Sequence, residues 1–242
     1  MILSPPTAAP GQAAGLLRGQ GYAVLAAQGV CELAGCRLEE LMALRPSWDG
    51  LPPDNYLKDG GHYRRRRHSC FVATGDQLEQ TPHRAHWQPV EYNALHGGMQ
   101  RWFEPMDAAV VAAPAWRGVL LALAQLSSQL KGDQPWHVEA HQFRIDTEGG
   151  IGRPTPEGAH RDGVDLVAVF LVAREGVKGG ETRVFEADGP AGQRFTLSEP
   201  WSLLLLDDER VIHETTPIQP VAERGWRDTL VLTYRAGGFQ GG

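Results

Sequence analysis

His160-Arg161-Asp162 sets an imidazole and a carboxylate two residues apart. On an extended backbone such residues project from the same face, so each can give one ligand to a metal ion. Two ligands hold a divalent ion poorly, and a third must return from elsewhere in the chain. His213 is the best candidate. It follows the apolar run Leu203-Leu204-Leu205-Leu206 and the polar pair Asp207-Asp208, a buried strand that ends in polar residues. Two imidazoles and one carboxylate on one face of a metal leave three positions open. The tripeptide alone is a weak signal. With 9 histidines and 29 acidic residues it can arise by chance, and a surface turn capped by Asp162 ahead of Gly163 explains it as well.

The later chain strengthens the metal interpretation. Arg227-Asp228-Thr229 opens the last strand, and Arg227 and Thr229 share a face by the same period of two. A guanidinium offers a two-pronged fork for a carboxylate, and the hydroxyl adds one donor. A dicarboxylate can then chelate Fe(II) at one end and be held by Arg227 at the other, which is what 2-oxoglutarate requires. The open coordination positions admit that cosubstrate and O2. Arg227 taken alone fits a surface ion pair equally well.

The elements that must position these groups follow from composition and pattern. The 242 residues carry a net charge of −6, with 42% hydrophobic residues, values of an ordinary globular chain. The acidic balance argues against nucleic-acid binding, which needs clustered Lys and Arg. No apolar run reaches membrane-spanning length, and no basic segment precedes an apolar stretch at the N-terminus. Three cysteines, Cys31, Cys36 and Cys70, fit reduced thiols. The expectation is a cytoplasmic protein. Leucine periodicity predicts a helix over 115–130, after Pro114, and another over 31–44, stopped by Pro46. Short β-rich runs at 21–25, 62–74, 138–145, 166–172, 182–185, 195–197, 202–206 and 229–234 point to an antiparallel barrel or sandwich. The expected organisation is one domain, 1–242, mainly β with flanking helices. A mixed N-terminal portion, 1–130, packs on a β-core, 131–242.

The motifs resemble those of the 2-oxoglutarate/Fe(II)-dependent dioxygenases. Thr155-Pro156-Glu157-Gly158-Ala159-His160-Arg161-Asp162-Gly163 is similar to the PEGxHRDG signature of the isoleucine-dioxygenase-like free amino-acid hydroxylases. His141-Gln142-Phe143-Arg144, Gly179-Gly180-Glu181-Thr182 and Arg227-Asp228-Thr229-Leu230 fit the same group. The likeness spans about residues 137–235, and Lys178 departs from it in a loop. It implies a double-stranded β-helix (jelly-roll) core. It also implies His160, Asp162 and His213 as iron ligands and Arg227 as the 2-oxoglutarate anchor. The implied reaction hydroxylates a small carboxylate, a free amino acid first among candidates, while 2-oxoglutarate is decarboxylated to succinate. Residues 1–130 resemble the group far less and are expected to set substrate choice.

Other groups carry weaker expectations. On a strand, Arg64 and Arg66 share one face and Arg65 and Arg67 the other. One face can pair with a substrate carboxylate, or the whole run can be a solvated edge. Gln142 and Arg144 are candidate pocket residues, with His141 and Phe143 on the opposite face. Glu181 is a candidate carboxylate supporting a ligand or an arginine. Arg161, between two ligands, should point away from the metal. Trp87, Tyr92, Trp102 and Phe103 are expected in the core. His83 and His86 lack a nearby acid to complete a metal set, and His68, His96 and His137 lack partners. Two other function classes remain open at this level. One is a non-catalytic metal- or ligand-binding jelly-roll, and the other a zinc hydrolase, which leaves Arg227 without a role.

Overall fold

In a computed structural model the chain is described over residues 3–241. The helices are α1 (Ala13–Gln20), α2 (Ala27–Ala34), α3 (Leu38–Met42), α4 (Ala108–Val111) and α5 (Pro114–Lys131). The strands are β1 (Tyr22–Leu25), β2 (Arg64–Thr74), β3 (Gln77–Gln80), β4 (Trp136–Asp146), β5 (Leu166–Glu175), β6 (Val177–Gly179), β7 (Thr182–Glu186), β8 (Gly192–Phe195), β9 (Ser202–Asp207), β10 (Val211–Thr215), β11 (Ile218–Pro220) and β12 (Trp226–Arg235).

Seven strands form one sheet in the order β1-β9-β5-β12-β4-β2-β3, with every neighbouring pair antiparallel. A second sheet, β10-β7-β8, and a two-stranded ribbon, β11-β6, complete the jelly-roll. The period of two splits the large sheet cleanly. Ala168, Phe170, Leu203, Leu205, Leu230 and Leu232 face the helices, in one core with Trp116 and Leu120 of α5. Val167, Leu171, Leu204 and Leu206 face the other way, in a second core with Val184 of β7 and Val211 of β10. This is why Leu203–Leu206 is an unbroken apolar run: β9 is covered on both faces. Each fully buried leucine contributes roughly 1.5–3 kcal/mol of transfer free energy.

Helix α5 forms where periodicity predicts it, with Pro114 at its first turn, where the missing N–H costs nothing. The helix expected over 31–44 is instead two helices. Gly35 ends α2 in the left-handed region at φ +64°, and α3 starts three residues later. Helical spacing persists across such a break, so periodicity cannot reveal it. The strand expected at 195–197 lies earlier, at β8, and β3, β6, β10 and β11 are additional. Of the four aromatics expected in the core only Phe103 is buried, and Trp102 is 53% exposed. Among the described residues no helix is long and apolar enough to cross a membrane.

Candidate active site

Two segments far apart in sequence make the centre. His160 and His213 form an isolated antiparallel pair, each backbone N–H donating to the other's carbonyl at 3.0 Å. Their rings lie 4.7 Å apart between centroids. Asp162 completes the set: Oδ1 lies 3.8 Å from His160 Nε2, and Oδ2 lies 3.9 Å from His213 Nε2. One ligand atom from each residue falls within 4.8 Å of the others. His160 Nδ1 is 2.9 Å from the Gly158 carbonyl. A carbonyl only accepts, so Nδ1 carries the proton and the Nε2 lone pair is left for a metal. Arg161 turns away, to the Glu209 carbonyl.

Asp208, which the sequence offered only as part of a polar pair, holds the loop that carries Asp162. Its carboxylate accepts from the backbone N–H groups of Asp162, Gly163 and Val164 at 3.0, 2.7 and 3.1 Å. Gly163 turns there at φ +75°, and a Cβ would meet the Tyr92 ring at 2.4 Å. Gln88 Nε2 donates to Asp162 Oδ1 at 3.2 Å. The Gln88 amide is held in that sense because its Oε1 accepts from Arg101, a pure donor. Burial pushes the Asp162 carboxyl up, with His160 pulling it back. Burial and the neighbouring Asp162 push Asp208 up to about 7. Burial and the His160 ring push His213 down. For His160 burial also works downward, but Asp162 and Glu157 outweigh it and raise the ring. Two imidazoles around a costly buried carboxylate form a donor set that fits a divalent cation.

Arg227 and Thr229 both line the cavity beside this centre. Arg227 is 3% exposed, and its Nε and Nη2 have no hydrogen-bond partner. Burial, then Arg174, lowers its pKa to about 10. Its sequence neighbour Asp228 gives little relief. Asp228 points to the opposite face of β12, where Arg144 grips it with two 2.7 Å bonds. A buried guanidinium with free donors calls for an anion, and that fits the distal carboxylate of 2-oxoglutarate. The cavity has a volume of about 140 Å³. One water needs roughly 10–15 Å³ of such space, so small organic acids fit.

The arginine run extends the same wall, because Arg64 and Arg227 flank Ile145 of β4 in register. Arg64 and Arg66 of β2 face the cavity and are buried, whereas Arg65 and Arg67 pair with Asp146, Glu104 and Asp107 on the other side. Arg64 Nε donates to Asp54 Oδ2 at 2.7 Å. The Arg66 guanidinium lies over Phe103 at 3.8 Å and Phe143 at 4.4 Å. Three candidates do not reach the cavity. Gln142 and Arg144 lie on the helix-side face of β4: Gln142 Nε2 donates to Ser47, and Arg144 binds Asp228 and Asp49. The alternation along β4 puts Glu139, His141 and Phe143 inward instead. Glu181 accepts from Arg183 and does not line the cavity.

His68 and His86 are not the isolated histidines expected from sequence. With Glu139 and His141 they form a buried cluster whose ligand atoms also lie within 4.8 Å. Glu139 Oε2 is 3.2 Å from His68 Nε2, 2.5 Å from His86 Nδ1 and 3.6 Å from His141 Nε2. Arg66 Nη2 lies 2.7 Å from His141 Nδ1. A guanidinium only donates, so Nδ1 accepts and the His141 proton sits on Nε2, facing Glu139. That tautomer makes the cluster a hydrogen-bond hub rather than a cation cage. Burial keeps the rings neutral: His68 and His141 are lowered, and His86 falls to about 3. Burial works to raise Glu139, but His86 and the donated hydrogen bonds lower it. The sequence did contain a signal, since Glu139 and His141 have the same two-residue spacing as His160 and Asp162.

No curated protein matches the sequence. Among solved structures, a bsmA homologue from Methylobium petroleophilum PM1 is 55% identical, covering 98% of this chain and 97% of its own, with a TM-score of 0.93. IDO from Bacillus thuringiensis has a TM-score of 0.75 at 16% identity, over 93% of this chain and 98% of its own. The Fe(II)/(alpha)ketoglutarate-dependent dioxygenase TqaL has a TM-score of 0.73 at 16% identity, over 96% and 88%. At that identity the last two speak for the jelly-roll fold. The 2OG-Fe dioxygenase family matches residues 45–233. Over three quarters of its length, then, the chain belongs to the 2OG-Fe dioxygenases, enzymes that use Fe(II), 2-oxoglutarate and O2.

Proposed function

We propose that this dioxygenase hydroxylates a small carboxylate substrate, a free amino acid first among candidates, with His160, Asp162 and His213 as iron ligands. Arg227, with the Thr229 hydroxyl beside it, holds the distal carboxylate of 2-oxoglutarate. The carrying observation is the buried Arg227 fork, two of its nitrogens unpartnered, on the cavity that His160, Asp162 and His213 share. Fe(II), when bound, would supply the redox chemistry by which substrate, O2 and 2-oxoglutarate become hydroxylated substrate, succinate and CO2. The chain's own groups orient and enclose. The Gly158 carbonyl fixes the His160 tautomer, Asp208 fixes the Asp162 backbone, and Arg227 fixes one end of the cosubstrate. Strands β4, β5 and β12 wall the cavity. We read the chain as one domain, because β1–β3 are built into the same sheet as β4, β5, β9 and β12. We place it in the cytoplasm on its three free cysteines.

The test is succinate formation from 2-oxoglutarate by anaerobically loaded Fe(II) protein exposed to O2, screened against the free L-amino acids. One amino acid should stimulate turnover and gain one oxygen in mass. His160→Ala should abolish iron binding and turnover together, and full activity in that variant would sink the assignment.

A further inference from the structure

The cavity holds two charged groups of opposite sign, each with one unpartnered atom, that the proposed iron and 2-oxoglutarate sites do not use. Arg64, with a side chain 7% exposed, is anchored through Nε to Asp54 while Nη2 has no partner. Glu157, with a side chain 11% exposed, has Oε1 3.6 Å from His160 Nε2 and Oε2 unpartnered. Both line the same cavity. Arg101, buried between charges of both signs, lines it too and leaves its Nε free.

We propose that Arg64 and Glu157 form a two-point clamp for a zwitterion, Arg64 taking the α-carboxylate and Glu157 the α-ammonium. The inference deepens the function proposed above and rests on it. The wall carries charges of both signs: Arg64, Arg66 and Arg101 share it with Glu139 and Glu157, while Asp54, which does not line the cavity, pairs with Arg64 and Arg66. Pairing is incomplete at Arg64 Nη2 and at Glu157 Oε2, and that supports a zwitterion over a simple anion. A dicarboxylate would leave Glu157 Oε2 without a partner and add like charge beside it, and a simple amine would do the same to Arg64 Nη2. A ligand that brings one charge of each sign satisfies both. Glu157 beside His160 would hold the ammonium end close to the metal, which places the carbons next to the ammonium nearest the reacting centre. The two residues explain how the N-terminal portion enters specificity: Arg64 arrives on β2, while Glu157 travels with the metal-binding loop.

The experiment is calorimetric titration of the anaerobic Fe(II)·2-oxoglutarate protein with the twenty free L-amino acids. The best binder is then compared with its N-acetyl derivative and its carboxamide. Removing the charge-assisted hydrogen bond at either end should weaken binding by roughly 10- to 100-fold. Glu157→Gln should weaken the free amino acid by a similar factor and leave the N-acetyl derivative unchanged. Arg64→Lys should weaken the free amino acid and leave the carboxamide unchanged. Iron content is measured in each variant, so that loss of metal is not mistaken for loss of the clamp. A merely structural role for either residue would weaken parent and derivative alike, and that result overturns the clamp. So does equal binding of parent and derivatives, or binding of no free amino acid while 2-oxoglutarate still binds. A protein that fails to bind 2-oxoglutarate in a separate titration instead refutes the function on which the clamp rests.

Discussion

Replacing Arg227 by methionine should change two properties in opposite directions. The guanidinium is 3% exposed, and its Nε and Nη2 make no hydrogen bond. In the ligand-free protein it is therefore an uncompensated buried charge. Exchanging such a charge for an apolar side chain of similar length is neutral or stabilises by about 1–4 kcal/mol. For a chain of this length that raises Tm by roughly 2–4 °C per kcal/mol. With 2-oxoglutarate bound, the same two nitrogens should each make a charge-assisted bond worth about 1.5–3 kcal/mol. Their loss raises Kd by roughly 10²- to 10⁴-fold. Wild type and Arg227→Met, both in Fe(II) under anaerobic conditions, are melted with and without 2-oxoglutarate. Wild type at a hundred times Kd should gain about 2.7 kcal/mol. The variant should start at or above the wild-type Tm and gain nothing. A variant clearly less stable than ligand-free wild type, or one that keeps the full ligand shift, would refute the reasoning.

Three further outcomes follow from the site. Asp208→Asn places an amide donor against backbone N–H groups of the Asp162 loop. Iron affinity should fall about 10- to 100-fold in a competition titration, with the fold retained in circular dichroism. Gly163→Ala drives a Cβ into the Tyr92 ring at a left-handed φ. It should cost about 1–3 kcal/mol in urea unfolding and lower iron occupancy. The buried His86, lowered to about 3, gives a pH signature. A lowered histidine pKa contributes stability above the unfolded value near 6.5 and loses it as pH falls toward the folded one. Between pH 7 and 5 wild type should therefore lose about 2 kcal/mol relative to His86→Asn. A pH-independent difference between the two would show that His86 titrates normally.

The convergence of His160, Asp162, His213 and Arg227 on one cavity was legible because each signal is local. Two-residue spacing on an extended backbone needs no knowledge of partners, and His213 and Arg227 each follow or open a recognisable apolar run. The Glu139 hub was not legible, because it depends on pairing. His68 sits directly opposite His141 only in the β2–β4 register, and no spacing along the chain encodes that register. The choice of face on β4 failed for the same reason. Gln142 and Arg144 share a face as expected, but the helices cover that face, and only the packing of α5 and the segment around Trp48 reveals this. Gly35 marks a third limit. A left-handed residue that stops α2 leaves the leucine periodicity of α3 intact, so one amphipathic stretch conceals two helices.

The reciprocal backbone pair between His160 and His213 also bears on when the centre can exist during synthesis. The ribosome delivers Arg64 and Arg66 first, then the loop with His160 and Asp162, and only much later His213. Arg227 comes later still, on β12, which must slot between β4 and β5 in the middle of a sheet whose outer members were made earlier. A nascent chain therefore displays two of the three proposed ligands before the His213 backbone that pairs with His160 is made. Competing ions that prefer isolated imidazoles meet no finished site while the polypeptide emerges. An ion retained by the proposed ligands would be chosen by a folded cavity, once β10 and β12 are in place, from whatever metals the surrounding solution then offers.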